Sequence, residues 1–148
     1  MDAEVTAFLE QNHQAAMTAL RPDGTPHVVR IGIALVDGKI WSSATNNRAR
    51  TKMLRRNPRS TLFVFDAQWA YLTLECRVSI IEGPEVPDAS IRLFDTMQSG
   101  MTEPGKLNWY GQPKTYDEFR QIMIDERRII FEFEPLRHYG LFGSNLPR

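Results

Sequence analysis

Apolar and polar positions along the chain change their period several times, and each change marks an element. Val5, Phe8 and Leu9 recur at helical spacing behind Asp2, which can cap a helix over residues 2–12. Gln14 to Leu20 is a run of small and apolar residues and reads as the first strand. Arg21-Pro-Asp-Gly-Thr-Pro26 supplies turn chemistry: Pro22 presets φ, and Gly24 tolerates a positive one. From His27 to Val36 a second strand alternates. Val29, Ile31, Ile33 and Leu35 share one side; Val28, Arg30, Gly32 and Ala34 share the other. Gly32 and Ala34 either leave room for a flat molecule against the sheet or mark a bend at Gly32. Asp37-Gly38 is the strongest hairpin signal and turns the chain back into a strand from Lys39 to Ala44.

The stretch Ser42 to Asn57 begins as a strand end, passes a polar turn and enters a short helix. Asn46 or Asn47 is the expected N-cap. Pro58 ends the helix by Asn57, because it lacks an N–H and disfavours helical geometry in its predecessor. At about 100° per residue, Arg48, Lys52 and Arg55 share one face. Arg50 points elsewhere, and Thr51 is expected to add a hydroxyl beside the ridge. Cations over free helix N-terminal amides make an anion site. A solvated basic face would show the same pattern.

Further along, Ser60 to Asp66 and Ala70 to Gly83 alternate as strands. Ser90 to Met97 is expected to be helical, Ser99 to Thr115 a long ordered loop, and Tyr116 to Arg127 a helix. Arg128 to Glu134 is a strand, Pro135 a kink, and Arg137 to Phe142 a short final strand. Six or seven strands with short connections favour antiparallel pairing in a small closed Greek-key barrel with inserted helices.

Composition narrows the partners. The 148 residues suit a single domain, residues 1–148. Lys plus Arg and Asp plus Glu are both 18, so global charge offers no case for nucleic acid. The excess positive charge is local, between Arg48 and Arg59. No apolar run reaches a membrane span, and Met-Asp-Ala-Glu is no signal-peptide start; a cytoplasmic setting is expected. The single cysteine, Cys76, excludes an internal disulfide and reads as inert packing. His13, His27 and His138 lack metal-ligand spacing, and there is no zinc motif, P-loop or Gly-x-Gly-x-x-Gly after a strand.

Four stretches together carry a resemblance: Asp23-Gly-Thr-Pro-His-Val-Val29; Arg48-Ala-Arg-Thr-Lys-Met-Leu-Arg-Arg-Asn-Pro-Arg59; Trp69-Ala-Tyr-Leu-Thr-Leu-Glu75; and Tyr116-Asp-Glu-Phe-Arg-Gln-Ile-Met-Ile-Asp-Glu-Arg-Arg128, which leads on to Arg137-His-Tyr-Gly140. In order and spacing the chain resembles the pyridoxamine 5′-phosphate oxidase-like split β-barrel superfamily. Within it, the chain is similar to the actinobacterial flavin/deazaflavin oxidoreductases that bind coenzyme F420. The resemblance implies a mainly β, FMN-binding-like split barrel and a homodimer with two cofactor sites at its interface. It implies coenzyme F420, with FMN as the alternative, held by twelve positions. His27, Val29, Arg30, Ser42 and Ser43 would flank the ring. Arg48, Arg50, Thr51 and Lys52 would hold phosphate. Trp69 and Tyr71 would approach from the neighbouring strand, and His138 from the chain end, in one reading that of the other subunit. Arg50 departs from the family's usual Lys, replacing a point charge by a planar fork.

The implied activity is hydride transfer from the reduced deazaflavin to an electron-poor or unsaturated small molecule. No catalytic acid or base is nominated: Tyr71 and His138 are candidate proton donors, but a structural role is the commoner one for such residues. Trp69, Trp109 and Tyr110 either line a substrate pocket or pack structurally. Arg55, Arg56 and Arg59 extend the cations beyond what one terminal phosphate needs, which favours the longer, polyanionic F420 tail, unless they pair with acidic neighbours. The alternatives are a non-catalytic carrier of a flavin, deazaflavin or tetrapyrrole, and FMN-dependent oxidation of pyridoxamine phosphate. The latter lacks a second basic set beyond Arg137 and Arg148.

Overall fold

The computed structural model describes residues 1–147. Helix α1 (Ala3–Gln11) opens the chain. The Asp2 carboxylate accepts from the Glu4 and Val5 amides at 2.7 and 3.4 Å, the expected cap. Strands β1 (Gln14–Leu20) and β2 (Pro26–Gly32) pair antiparallel, as do β3 (Ala34–Val36) and β4 (Lys39–Thr45). Asp37 and Gly38 have φ of 52° and 76°, the left-handed pair a tight hairpin demands. Then follow α2 (Ala49–Arg56), β5 (Arg59–Phe65), β6 (Tyr71–Ile81), α3 (Val86–Met97), β7 (Lys106–Trp109), β8 (Gln112–Thr115), α4 (Tyr116–Asp125) and β9 (Arg128–Leu141).

Seven strands form one antiparallel sheet in the order β2-β1-β5-β6-β9-β4-β3. β2 and β3 lie at opposite edges, yet only Ile33 separates them in sequence. The sheet therefore curls until its edges meet, giving the expected split barrel. Two sets of bonds fasten the crossing. The Ile33 amide donates to the His13 carbonyl at 2.9 Å, with His13 Nδ1 3.1 Å from the Ile33 carbonyl oxygen. The Ser42 hydroxyl donates to the Gly32 carbonyl at 2.7 Å.

The alternation read between His27 and Val36 holds. Val29, Ile31, Ile33 and Leu35 pack into the barrel core with Met17, Leu62, Leu74 and Phe131. On the other face Ala34 and Val36 lie under α3 with Trp41, Leu93 and Ile130, so Ala34 leaves no open space there. Gly32 remains exposed beside the crossing. A third cluster, Ile91, Leu107, Phe119 and Met123, joins α3, α4 and the small hairpin.

Four boundaries differ from the expectation. The one strand expected over residues 27–36 is two, β2 and β3, broken at Ile33 where the chain crosses between sheet edges. Residues 99–115 are not a long loop: β7 and β8 pair as a hairpin turning at Tyr110 and Gly111, with φ of 49° and 78°. Helix α3 starts at Val86, because Pro87 sits in its first turn, where a missing N–H is harmless. β9 runs through Pro135: the register shift opposite Glu75 and Cys76 leaves Leu136 unpaired, a bulge that accommodates the proline.

Two outcomes follow from the packing. At Gly140 a Cβ would overlap the Tyr71 carbonyl oxygen, a backbone atom that cannot swing aside. Gly140→Ala should therefore cost about 1–3 kcal/mol in urea unfolding. Cys76 is buried in the core, and burial first, then Glu75, pushes its thiol up to about 12. Iodoacetamide at about pH 8 should leave the folded protein unmodified and label it only in denaturant.

Candidate functional site

Strand β4 sorts its side chains between two environments. Ile40, Ser42 and Ala44 are buried on the barrel side; Trp41, Ser43 and Thr45 alternate onto the outer face. Ser42 is committed to closing the barrel. Ser43, its neighbour, has a solvent-inaccessible Oγ with no hydrogen-bond partner among the described residues.

The chain then turns through Asn46 and Asn47 into α2. The N-cap is Arg48, not either asparagine, and no side chain among the described residues caps the helix. Asn47 instead accepts from the Thr45 hydroxyl at 3.0 Å, and Asn46 from Arg55 at 2.7 Å. The first turn carries no acidic residue. Cations at an uncapped N-terminus work against the helix dipole, so an anion there relieves both the charge and the free amides.

The side chains of α2 do not all play the expected parts. Thr51 is fully buried, and its hydroxyl donates to the Thr45 carbonyl at 2.8 Å, tying helix to strand instead of standing beside the ridge. Its buried place corrects the expected hydroxyl on the cationic surface. Arg55 leaves the ridge for Glu82, with bonds of 3.0 and 2.8 Å that raise the Arg55 pKa and lower that of Glu82. Arg56 donates to the Leu20 carbonyl. Arg48 and Lys52 are exposed and make no ion pair among the described residues.

Arg50 is half-buried, and its Nε is inaccessible to solvent and has no partner among the described residues. Burial, then repulsion from Arg48 and Arg128, holds its pKa below the ordinary guanidinium value.

Beside this junction lies a cavity of about 300 Å³ lined by Gly32, Ser43, Phe94, Met97, Gln98 and Arg128. A Cβ on Gly32 would sit 3.0 Å from the Met97 sulfur, so glycine keeps this wall open. Arg128 escaped the sequence reading. It opens β9 opposite Thr45, and its neighbour Trp109 comes from the hairpin read as a loop.

The ring-flanking candidates on β2 divide. Val29 packs against the barrel core, His27 is half-buried with Nδ1 3.5 Å from Arg21, and Arg30 is exposed on the face shared with Gly32 and bonds Gln14. Trp69, Tyr71 and His138 do not line the cavity. Trp69 is 88 % exposed in the turn between β5 and β6. Tyr71 stacks on Phe63 at 5.2 Å, beside exposed Tyr139 and Leu141. His138 is exposed, 6.3 Å from the Phe142 ring. One chain thus presents two separate groups of candidates: Ser43, Arg48 and Arg50 at the β4–α2 junction, and an aromatic patch on the outer face of β5, β6 and β9.

The sequence model of the pyridoxamine 5′-phosphate oxidase family matches residues 1–135. The chain belongs to that family. Among solved structures, a conserved hypothetical protein of Mycobacterium tuberculosis superposes with a TM-score of 0.74 at 21% identity, over 100% of this chain and 89% of the other. An F420 reductase gives 0.66 at 21% identity, over 94% and 98%. A putative pyridoxamine 5′-phosphate oxidase of Listeria innocua gives 0.63 at 15%, over 93% and 94%. At these identities the shared property is the fold.

In this member of the pyridoxamine 5′-phosphate oxidase family, Arg50 keeps a charge where the free fold gains nothing from it. Arg50→Met should raise the stability of the ligand-free protein by about 1 kcal/mol in denaturant unfolding. The same change should remove most affinity for an anionic ligand.

Proposed function

We propose that this chain binds a phosphate-bearing flavin-type cofactor, coenzyme F420 ahead of FMN, and acts with it as an oxidoreductase on a small electron-poor or unsaturated molecule. The observation that carries the proposal is the pair of buried, partnerless polar atoms, Ser43 Oγ of a cavity-lining residue and Arg50 Nε in the first turn of uncapped α2. Buried polar groups without partners are rare, and they fit a ligand that brings acceptors. One solved neighbour is named an F420 reductase, which supports the direction.

Arg50 would hold phosphate from within, and Arg48 and Lys52 from the surface. A well-made, partly buried charge-assisted bond contributes roughly 1.5–3 kcal/mol, and exposed partners less. Gly32 and Ser43 would border the ring, and Phe94 and Met97 would keep water from it. When bound, the reduced deazaflavin supplies the hydride; the protein supplies position and electrostatics. The preference for F420 rests on Arg59. It is exposed and directly opposite Arg77, a like-charge pair that an extended anionic tail would relieve. Arg55 and Arg56, turned to Glu82 and Leu20, drop out of that case.

The same proposal includes a homodimer. Phe63 at 40 %, Tyr139 at 52 % and Leu141 at 40 % exposure, with Tyr71, form an aromatic face that favours burial against a second copy. Trp69, Tyr71 and His138 would then reach the cofactor across the interface.

Titration with F420 and with FMN, followed by absorbance and fluorescence, tests the cofactor. Micromolar or tighter F420 binding, with FMN weaker, is expected; binding of neither would end the proposal. Steady-state assays with quinones, nitroaromatics and unsaturated lactones test the chemistry. Tight binding without turnover on any of them would assign a carrier instead. Arg48→Ala and Lys52→Ala should each weaken F420 binding about tenfold and leave the melting temperature unchanged, since both side chains are exposed.

A further inference from the structure

Arg128 sits where β4 hands over to α2: it is paired in register with Thr45, the last residue of β4. Its side chain is only 8% exposed. Nε and Nη2 both donate to Glu126 Oε1, at 3.0 and 2.7 Å, and Nη1 makes no hydrogen bond among the described residues. The guanidinium lies 5.0 Å from the centre of the Trp109 ring. Trp109 is itself boxed edge-on by Phe94 and Phe119 at 5.7 Å and by Tyr110 at 5.1 Å. Phe119 is fully buried, so the hairpin holds Trp109 against a rigid base.

Three guanidiniums, Arg48, Arg50 and Arg128, thus crowd one junction, and Arg48 and Arg128 both depress the Arg50 pKa. The carboxylate bound to this group is Glu126, and it engages Arg128 from one side. Stacking and the carboxylate together fix the orientation of Arg128 before any ligand arrives, which removes an ordering cost from binding. A guanidinium prepared in this way, lining the cavity with Ser43, suits a phosphate group better than an exposed lysine does.

We propose that Arg128 is an anion-binding residue of the cavity it lines with Ser43, next to Arg50, and that the β7–β8 hairpin, through Trp109, is its positioning element. The proposal rests on the phosphate site argued above. It extends that site by naming what recognises the phosphate and by giving the hairpin a role in affinity. In the competing account Arg128 only staples the hairpin to the barrel.

Two matched ligand pairs separate these accounts: FMN with riboflavin, and F420 with its phosphate-free 8-hydroxy-5-deazariboflavin core. Each pair shares a ring: riboflavin lacks only the phosphate of FMN, which isolates that group, and the deazariboflavin core lacks the whole phosphate-bearing tail of F420. Arg128→Gln should weaken the phosphate-bearing partner about tenfold and leave the phosphate-free partner unchanged. Trp109→Leu should give a smaller loss with the same selectivity, and no further loss when added to Arg128→Gln. Equal losses on both partners, or none on either, would overturn the role of Arg128, as would losses from the two changes that simply add. Should Arg128→Gln fail to fold, Arg128→Lys carries the same test with the same two readings. If Arg48→Ala and Arg50→Met abolish the preference for phosphate while Arg128→Gln keeps it, the cofactor site stands and this extension falls. If the unaltered protein binds neither member of either pair, the cofactor site itself is wrong and the extension falls with it.

Discussion

Closure of the sheet at Ile33 is the constraint on which the rest depends. A single residue carries the chain from one edge of a seven-stranded sheet to the other, so the curl is fixed by covalent geometry. Three contacts hold the crossing, from His13 and Ser42 to Gly32 and Ile33. Each hydrogen bond contributes about 1 kcal/mol. The crossing also places the cavity. Gly32 is both a residue of the seam and a wall of the cavity, and Ser42 and Ser43, adjacent on β4, serve the seam and the cavity respectively. The position of the site is a consequence of how the barrel shuts.

Charge separates the structural cations from the free ones. Arg55, Arg92, Arg120 and Arg137 each meet a carboxylate. These pairs are exposed and contribute little to stability, but they show which cations the fold itself has satisfied. Arg48, Arg50 and Lys52 have no such partner among the described residues. A chain with equal numbers of acidic and basic side chains thereby keeps a local positive field at one helix end. Such a field is costly to the free protein, and a bound anion would offset that cost.

Much of this was legible in the sequence wherever the signal was local. The Asp2 cap, the Asp37-Gly38 turn and the alternation through β2, β3 and β6 depend on neighbours in the chain, and they stand as read. The family resemblance and the split barrel also stand. Signals that needed a distant partner were lost. The β7–β8 hairpin has four-residue strands, a proline in one of them and a tyrosine at positive φ, so its pattern is too short to separate from a loop. Thr51 lies buried rather than on the ridge, because helical phase does not say which face meets the body of the protein. Arg55 was counted with the ridge because Glu82 lies across the fold. Arg128 carries no local signal in the sequence, since Trp109 and Arg50 give it meaning only in three dimensions. Arg148, weighed in the sequence as part of a second basic set, lies outside the described residues.

The central claim is that the half-buried guanidinium of Arg50, with its inaccessible Nε, awaits an anionic ligand. Nitrogen-15 spectroscopy of the arginine Nε–H groups tests it most directly, with the Arg50 signal assigned by its loss in Arg50→Met. On titration with F420 or FMN, the Arg50 Nε–H resonance should shift in step with saturation and become protected from solvent exchange. Saturable binding that leaves the Arg50 resonance where it was would contradict the account.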